Sequence, residues 1–185
     1  MAVVRCIAAA AALAAFAIPA SAGIVVLGAN SARLCYLSAE SAMRPATRDV
    51  ARCTEALDEA GISHHDVVAT YVNRGILKLR RGLVPEAIAD FDTALRLDPN
   101  QPEAYLNKGA ALVQQNDMRG ALPLFAAALE HRTDRPALAH FGRAIANETL
   151  GNVAEAYRDY QMASRLEPDW AEPRAELQRF RVVPR

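Results

Sequence analysis

The chain has 185 residues, enough for one modest domain, of which 52% are hydrophobic but only 6% aromatic. Its 21 basic residues balance 21 acidic ones, and nothing suggests a nucleic-acid partner, which would need a concentrated basic face. An apolar fraction built on Ala and Leu points to packed helices and away from a β-sandwich.

Arg5 precedes a continuous apolar run over residues 6–18, then Pro19 and the small residues Ala20-Ser21-Ala22. A charge, an apolar run and a small-x-small ending follow the plan of a secretory signal peptide, residues 1–22, with cleavage expected after Ala22. Residues 23–29 (GIVVLGA) carry the apolar character past the proline, so an uncleaved membrane anchor is the alternative. The expected location is periplasmic or secreted in the first case and membrane-anchored in the second. A membrane is a partner only if the segment stays uncleaved. Cleavage removes Arg5 alone among the charged residues, leaving 20 basic against 21 acidic.

Cys6 would leave with the leader. Cys35 and Cys53 remain, an even number in an exported chain, and a disulfide is the expected state. There is no C-x-x-C, and two thiols without further ligands make a poor metal site.

Residues 31–43 are helix-permissive, Pro45 interrupts, and residues 49–57 read as a second helix that Gly61 ends. We expect a degenerate helical hairpin over 30–61, within an N-terminal unit of 23–67. Ser63 with Asp66 starts the next helix. Three similar stretches then follow, 68–101, 102–136 and 137–170. Ala87, Ala121 and Ala156 are spaced 34 and then 35 residues apart, and Phe91, Phe125 and Tyr160 and Ala94, Ala128 and Ala163 keep the same steps. Gly75 and Gly109 match, with Ala144 in the third copy. Such a period signals a solenoid, whose units bury their apolar faces only against their neighbours.

Each unit reads as two helices. In the first unit Tyr71, Gly75, Ile76 and Leu79 share a face, Gly82 ends the helix, Pro85 opens the next, and Pro99 forces a turn. The second helix carries Ala87, Ile88, Phe91, Ala94 and Leu95. In the third unit Gly151 ends the first helix, and Asn152 with Glu155 is expected to form a capping box. Gly75 and Ala87 are expected where the helices of one hairpin cross, and the aromatics between hairpins. Pro123 and Gly120 should soften the second helix of the middle unit. Residues 171–181, within a C-terminal 171–185 unit, should form a charged capping helix.

Tyr71-Val72-Asn73-Arg74-Gly75, Tyr105-Leu106-Asn107-Lys108-Gly109, the Ala…Phe/Tyr…Ala triplets and the unit ends Asp98-Pro99 and Glu167-Pro168 together resemble the tetratricopeptide repeat (TPR), over residues 68–170. Thr133 in place of Pro, Pro123 inside a helix, and His140 in place of Tyr or Trp depart from that pattern. The resemblance implies an all-α protein of the exported bacterial type: an α-solenoid of stacked antiparallel helix hairpins, a TPR-like superhelix, with a C-terminal capping helix.

No catalytic motif stands out. The adjacent His64 and His65 point about 100° apart on a helix and cannot grip one ion together, and His131 and His140 lack ligands at helical spacing. There is no nucleophile elbow and no phosphate-binding glycine loop. No enzyme, metal, cofactor or small-molecule substrate is expected. The expected function is that of a protein–protein interaction adaptor or scaffold in the bacterial cell envelope, holding a peptide or a partner helix in the concave groove. By resemblance Asn73 and Asn107 hold the ligand backbone, since an amide both donates and accepts. Val72, Ile76, Leu106, Ala110, Phe141 and Ile145 would floor the groove, with Arg80 and Gln114 at the rim; each could instead pack between helices. Val72 and Ile76 stand where the chaperone-binding version of the fold has a Lys and an Asn, so a carboxylate-terminal chaperone peptide is not expected. The alternative is a redox-active or metal-dependent envelope enzyme using Cys35, Cys53 and the histidines.

Overall fold

The computed structural model describes residues 3–6, 23–26, 30–41 and 44–183. Most of the expected leader, and with it most of the candidate anchor, lies outside those residues. The described helices are α1 (Asn30–Ser41), α2 (Thr47–Asp58), α3 (His64–Arg80), α4 (Val84–Leu97), α5 (Pro102–Gln114), α6 (Met118–Glu130), α7 (Pro136–Thr149), α8 (Val153–Leu166) and α9 (Ala171–Leu177). They pack as successive hairpins, α1 with α2, α3 with α4, α5 with α6 and α7 with α8, and α9 closes the stack against α8. The chain is an all-α solenoid. The first helices α1, α3, α5 and α7 lie side by side, each touching the next. No described helix is long and apolar enough to cross a membrane.

Local chemistry explains the boundaries. The Ser63 hydroxyl accepts the Asp66 amide at 3.1 Å, satisfying one of the orphan donors of the first turn of α3. Pro102 and Pro136 occupy the first positions of α5 and α7, where a missing N–H costs nothing. The three hairpin turns use the left-handed region at corresponding positions: Gly82 (φ 77°), Asn116 (φ 62°) and Gly151 (φ 82°). Asn is the non-glycine residue that best tolerates that conformation, so the middle unit keeps the turn without a glycine.

The Ala and aromatic landmarks form the core. Ala87, Ala94, Ala121, Ala128, Ala156 and Ala163 are fully buried, with Phe91, Phe125 and Tyr160 among them. The aromatics answer the glycines of their own hairpins: a Cβ on Gly75 would come within 2.5 Å of the Phe91 ring, and one on Gly109 within 2.9 Å of Phe125. The ring therefore fills the crossing inside each hairpin, where the sequence reading put it between hairpins.

Two further expectations are corrected. Asn152 does not cap α8 with its side chain; its amide donates to Asn147 Oδ1 at 3.1 Å, back across the turn. Gly120 lies in the first turn of α6, and its backbone amide donates to the capping Asp117 carboxylate at 2.9 Å; a Cβ there would meet that carboxylate at 2.4 Å. The capping helix ends at Leu177, and Phe180–Val183 forms a strand, β2, paired antiparallel with β1 (Val3–Cys6), Val3 opposite Val183. Phe180 turns inward and packs on Tyr157 and Tyr160. A chain cleaved after Ala22 would lose β1.

The first hairpin packs like the others and brings two cysteines together. Cys35 on α1 and Cys53 on α2 are fully buried, their Sγ atoms 2.09 Å and their Cα atoms 4.8 Å apart. A disulfide spans such a separation.

Candidate peptide-binding site

Asn73 projects from the middle of α3 and is completely buried. Its Nδ2 donates to the main-chain carbonyl of Ile24 at 3.0 Å, and its Oδ1 accepts the Ile24 amide at 2.9 Å. One side-chain amide thus satisfies both polar groups of a residue 49 positions earlier, in a non-helical segment. The segment is fastened at both ends. The Gly23 nitrogen donates to Glu40 Oε1 of α1 at 3.0 Å, and Val26 is buried in a cluster with Ala32, Ala56 and Ala69. Residues 23–26 therefore lie over the α1–α3 face in the manner expected of a ligand.

Asn107, one repeat later, differs. Its Nδ2 donates to the Glu103 carbonyl of its own helix at 2.8 Å, and its Oδ1 is buried with no hydrogen-bond partner among the described residues. The first asparagine is engaged with a backbone unit, and the second has an acceptor in reserve.

The apolar candidate residues are packed. Val72, Ile76, Leu106, Ala110, Phe141 and Ile145 all belong to the buried core. Phe141 sits against Trp170 at 4.7 Å between ring centroids and edge-on to Tyr160 at 5.6 Å. Arg80 reaches from the end of α3 to the Ala39 carbonyl on α1, tying the degenerate hairpin to the first full repeat. Gln114 lies exposed at the end of α5.

The histidines have structural contacts. His140 Nδ1 is 2.8 Å from Asp159 Oδ1, His131 stacks on Tyr105 at 5.5 Å, and His64 Nε2 is 3.3 Å from the Leu97 carbonyl. Among the described residues no three His, Cys, Asp or Glu side chains are grouped to hold a metal ion.

The sequence analysis did not anticipate the charged ties across the α3–α4 and α7–α8 hairpins. Arg74 grips Asp90 with Nε and Nη2 at 3.0 and 2.7 Å, Lys78 joins the same carboxylate at 2.7 Å, and Arg143 grips Asp159 likewise at 2.9 and 2.7 Å. The signal was available, because both arginines precede their aspartates by sixteen residues. In the middle repeat Leu124 takes the aspartate's place, and Lys108 turns to Asp92 of the preceding hairpin at 2.6 Å. The sequence reading also missed Ile24 and Glu40, and only the β-branched residues just past the expected cleavage point hinted at the first.

The tetratricopeptide repeat family model matches residues 72–136 and 106–169, together more than half of the chain. The chain belongs to the tetratricopeptide repeat family. Mouse Superkiller complex protein 3 is 29% identical over 100 residues, which are 54% of this TPR chain and 6% of that protein. Among solved structures, MamA from Desulfovibrio magneticus RS-1 is 21% identical with a TM-score of 0.63, the match covering 80% of this chain and 82% of that one. The first TPR of Spaghetti (RPAP3), bound to the HSP90 peptide SRMEEVD, is 23% identical with a TM-score of 0.57, covering 60% and 87%. At these identities the TPR structures establish a shared fold.

Proposed function

We propose that this TPR protein is a protein–protein interaction adaptor that holds a peptide main chain against the face formed by its first helices. The observation that carries the reading is the pair of hydrogen bonds between Asn73 and Ile24, because it places a donor and an acceptor where a backbone unit needs both. The unpartnered Oδ1 of Asn107 supports a second contact of the same kind once that side chain turns outward. A TPR structure with a bound HSP90 peptide supports the class of ligand. Val72 and Ile76, in place of the basic clamp, argue against a carboxylate-terminal peptide. The engaged histidines give no support to an enzymatic reading.

We place the protein in the periplasm or outside the cell, on the strength of the leader pattern over residues 1–22 and of Cys35 and Cys53. Oxidised to a disulfide, the pair would stabilise the degenerate hairpin by about 3 kcal/mol in the chain-entropy account. Two free thiols in the unreduced secreted protein would contradict this.

The adaptor reading is tested with a peptide selected from a random library on the purified chain. Replacing Asn73 and Asn107 together by alanine should weaken that peptide roughly tenfold or more, from two lost bonds of on the order of 1 kcal/mol each. Unchanged affinity in the folded variant would overturn it.

A further inference from the structure

We propose that Glu40 and Asn73 form a receptor for an N-terminal α-ammonium group, and that its resident ligand is the chain's own Gly23–Val26 after cleavage of the Ala22–Gly23 bond. The inference rests on the reading that this face binds main chain, and adds the chemistry of the ligand's end.

Two independent observations meet at Gly23. In the sequence, the small-x-small ending at Ala22 makes Gly23 the first residue of the processed chain. In the structure, the Gly23 nitrogen meets Glu40 Oε1 at 3.0 Å, Asn73 takes both main-chain groups of Ile24, and Val26 is buried below. Position 23 also sits close against the two receptor side chains. A Cβ there would meet Glu40 Oε1 at 2.5 Å and Asn73 Oδ1 at 3.2 Å, so the end of the Glu40 side chain would have to shift.

Hydrolysis of the Ala22–Gly23 bond by a signal peptidase adds one water, leaving a carboxylate on Ala22 and an amine on Gly23. The amine, with a reference pKa of about 7.7–8.0, takes up a proton at neutral pH. The nitrogen that donated one neutral amide hydrogen then carries three hydrogens and a positive charge. The Glu40 contact, already charge-assisted through the carboxylate, gains the attraction of a full positive charge and becomes an ion pair. Among the described residues Arg80 is a cation that feels Glu40, and it is held to the Ala39 carbonyl beside it. Processing therefore tightens the segment on Asn73, and a partner's backbone must displace Ile24 to reach that amide. The mature protein carries its own competitor.

The test uses the full chain exported with its leader. N-terminal sequencing of the secreted product should read Gly-Ile-Val-Val. Acylation of the Gly23 amine by an amine-reactive ester at neutral pH, followed by peptide mass mapping, should be about tenfold slower than in Glu40→Gln, as expected for a one-unit rise in the amine's pKa. Glu40 is exposed, so this substitution leaves the core untouched. In about 1 M salt the wild-type rate should move towards that of the variant. A different N-terminal residue, or equal rates in wild type and Glu40→Gln, would overturn the proposal. Neither result depends on the selected peptide, so failure here and failure of the adaptor reading are distinguishable.

Discussion

Arg143 and Asp159 meet through two parallel hydrogen bonds, 2.9 and 2.7 Å long, and His140 adds a third contact to the same carboxylate. Burial works against the charge on Asp159, but the donors from His140 and Arg143 outweigh it, and the carboxyl titrates below its ordinary range. A carboxyl with a depressed folded pKa stabilises the fold above its unfolded value, about 3.9, and that contribution disappears as pH falls through the lower folded value. Asp159→Asn should cost about 2 kcal/mol at neutral pH, and its melting temperature should fall less steeply than wild type below pH 4. Parallel acid slopes would count against the ion pair.

Glu103 has the opposite sign. Its carboxylate, at the start of α5, accepts the Thr133 hydroxyl at 2.9 Å and the Asp134 amide at 2.8 Å, fixing the turn before α7. Burial nevertheless dominates and pushes its pKa up. The associated stability is complete below the unfolded pKa, about 4.3, and is lost as pH rises through the elevated folded value. The stability difference between wild type and Glu103→Gln, followed by denaturation from pH 4 to 7, should therefore shift against wild type as pH rises. Glu103→Ala should be destabilised by about 1–3 kcal/mol at every pH, because Thr133 and Asp134 lose their acceptor.

The two asparagines should separate in a melting experiment. Asn73→Ala strands the amide and carbonyl of Ile24 and should cost about 1–3 kcal/mol. Asn107→Ala loses one bond within a helix but also removes a buried acceptor that has no partner among the described residues, so its cost should be below about 1 kcal/mol. Equal losses would mean that Ile24 is not held in solution.

Much of the architecture was legible because it is local. Gly75 and Phe91 are sixteen residues apart within one hairpin, and the same pair recurs at Gly109 and Phe125. Repetition makes such demands visible without knowledge of the neighbours. The occupant of Asn73 was not legible, because Ile24 is 49 residues away and follows a segment whose pattern marks it for removal. Nor did the periodicity reveal that Val72, Leu106 and Phe141 are covered. A first-helix position reads the same whether it faces solvent or is roofed by another part of the chain, as Phe141 is by Trp170.

Gly75→Ala tests the close approach directly. Alanine favours a helix over glycine by about 1 kcal/mol. Here the added methyl drives into the Phe91 ring, and a net loss of about 1–3 kcal/mol is expected. Gly109→Ala, with the looser 2.9 Å approach, should lose less. Combining Gly75→Ala with Phe91→Leu should cost less than the sum of the single changes. Full additivity would place the methyl elsewhere.

Native-state hydrogen exchange should find α6 the least protected second helix of the three full repeats. Pro123 is the sixth residue of α6 and exposed, so the Arg119 carbonyl loses its donor on the solvent side. Amides of residues 118–126 should exchange at least several-fold faster than those of α4. Slower exchange there would contradict this.

The replacement of the hairpin aspartate by Leu124 has a mechanical consequence. The α3–α4 and α7–α8 hairpins are each riveted to themselves by Arg74–Asp90 and Arg143–Asp159, while the α5–α6 hairpin between them is tied by Lys108 to its neighbour. Pulled from its two ends, such an array does not stretch evenly. The outer hairpins behave as stiff blocks, and the extension collects in the middle one, which works as a spring between two rigid plates.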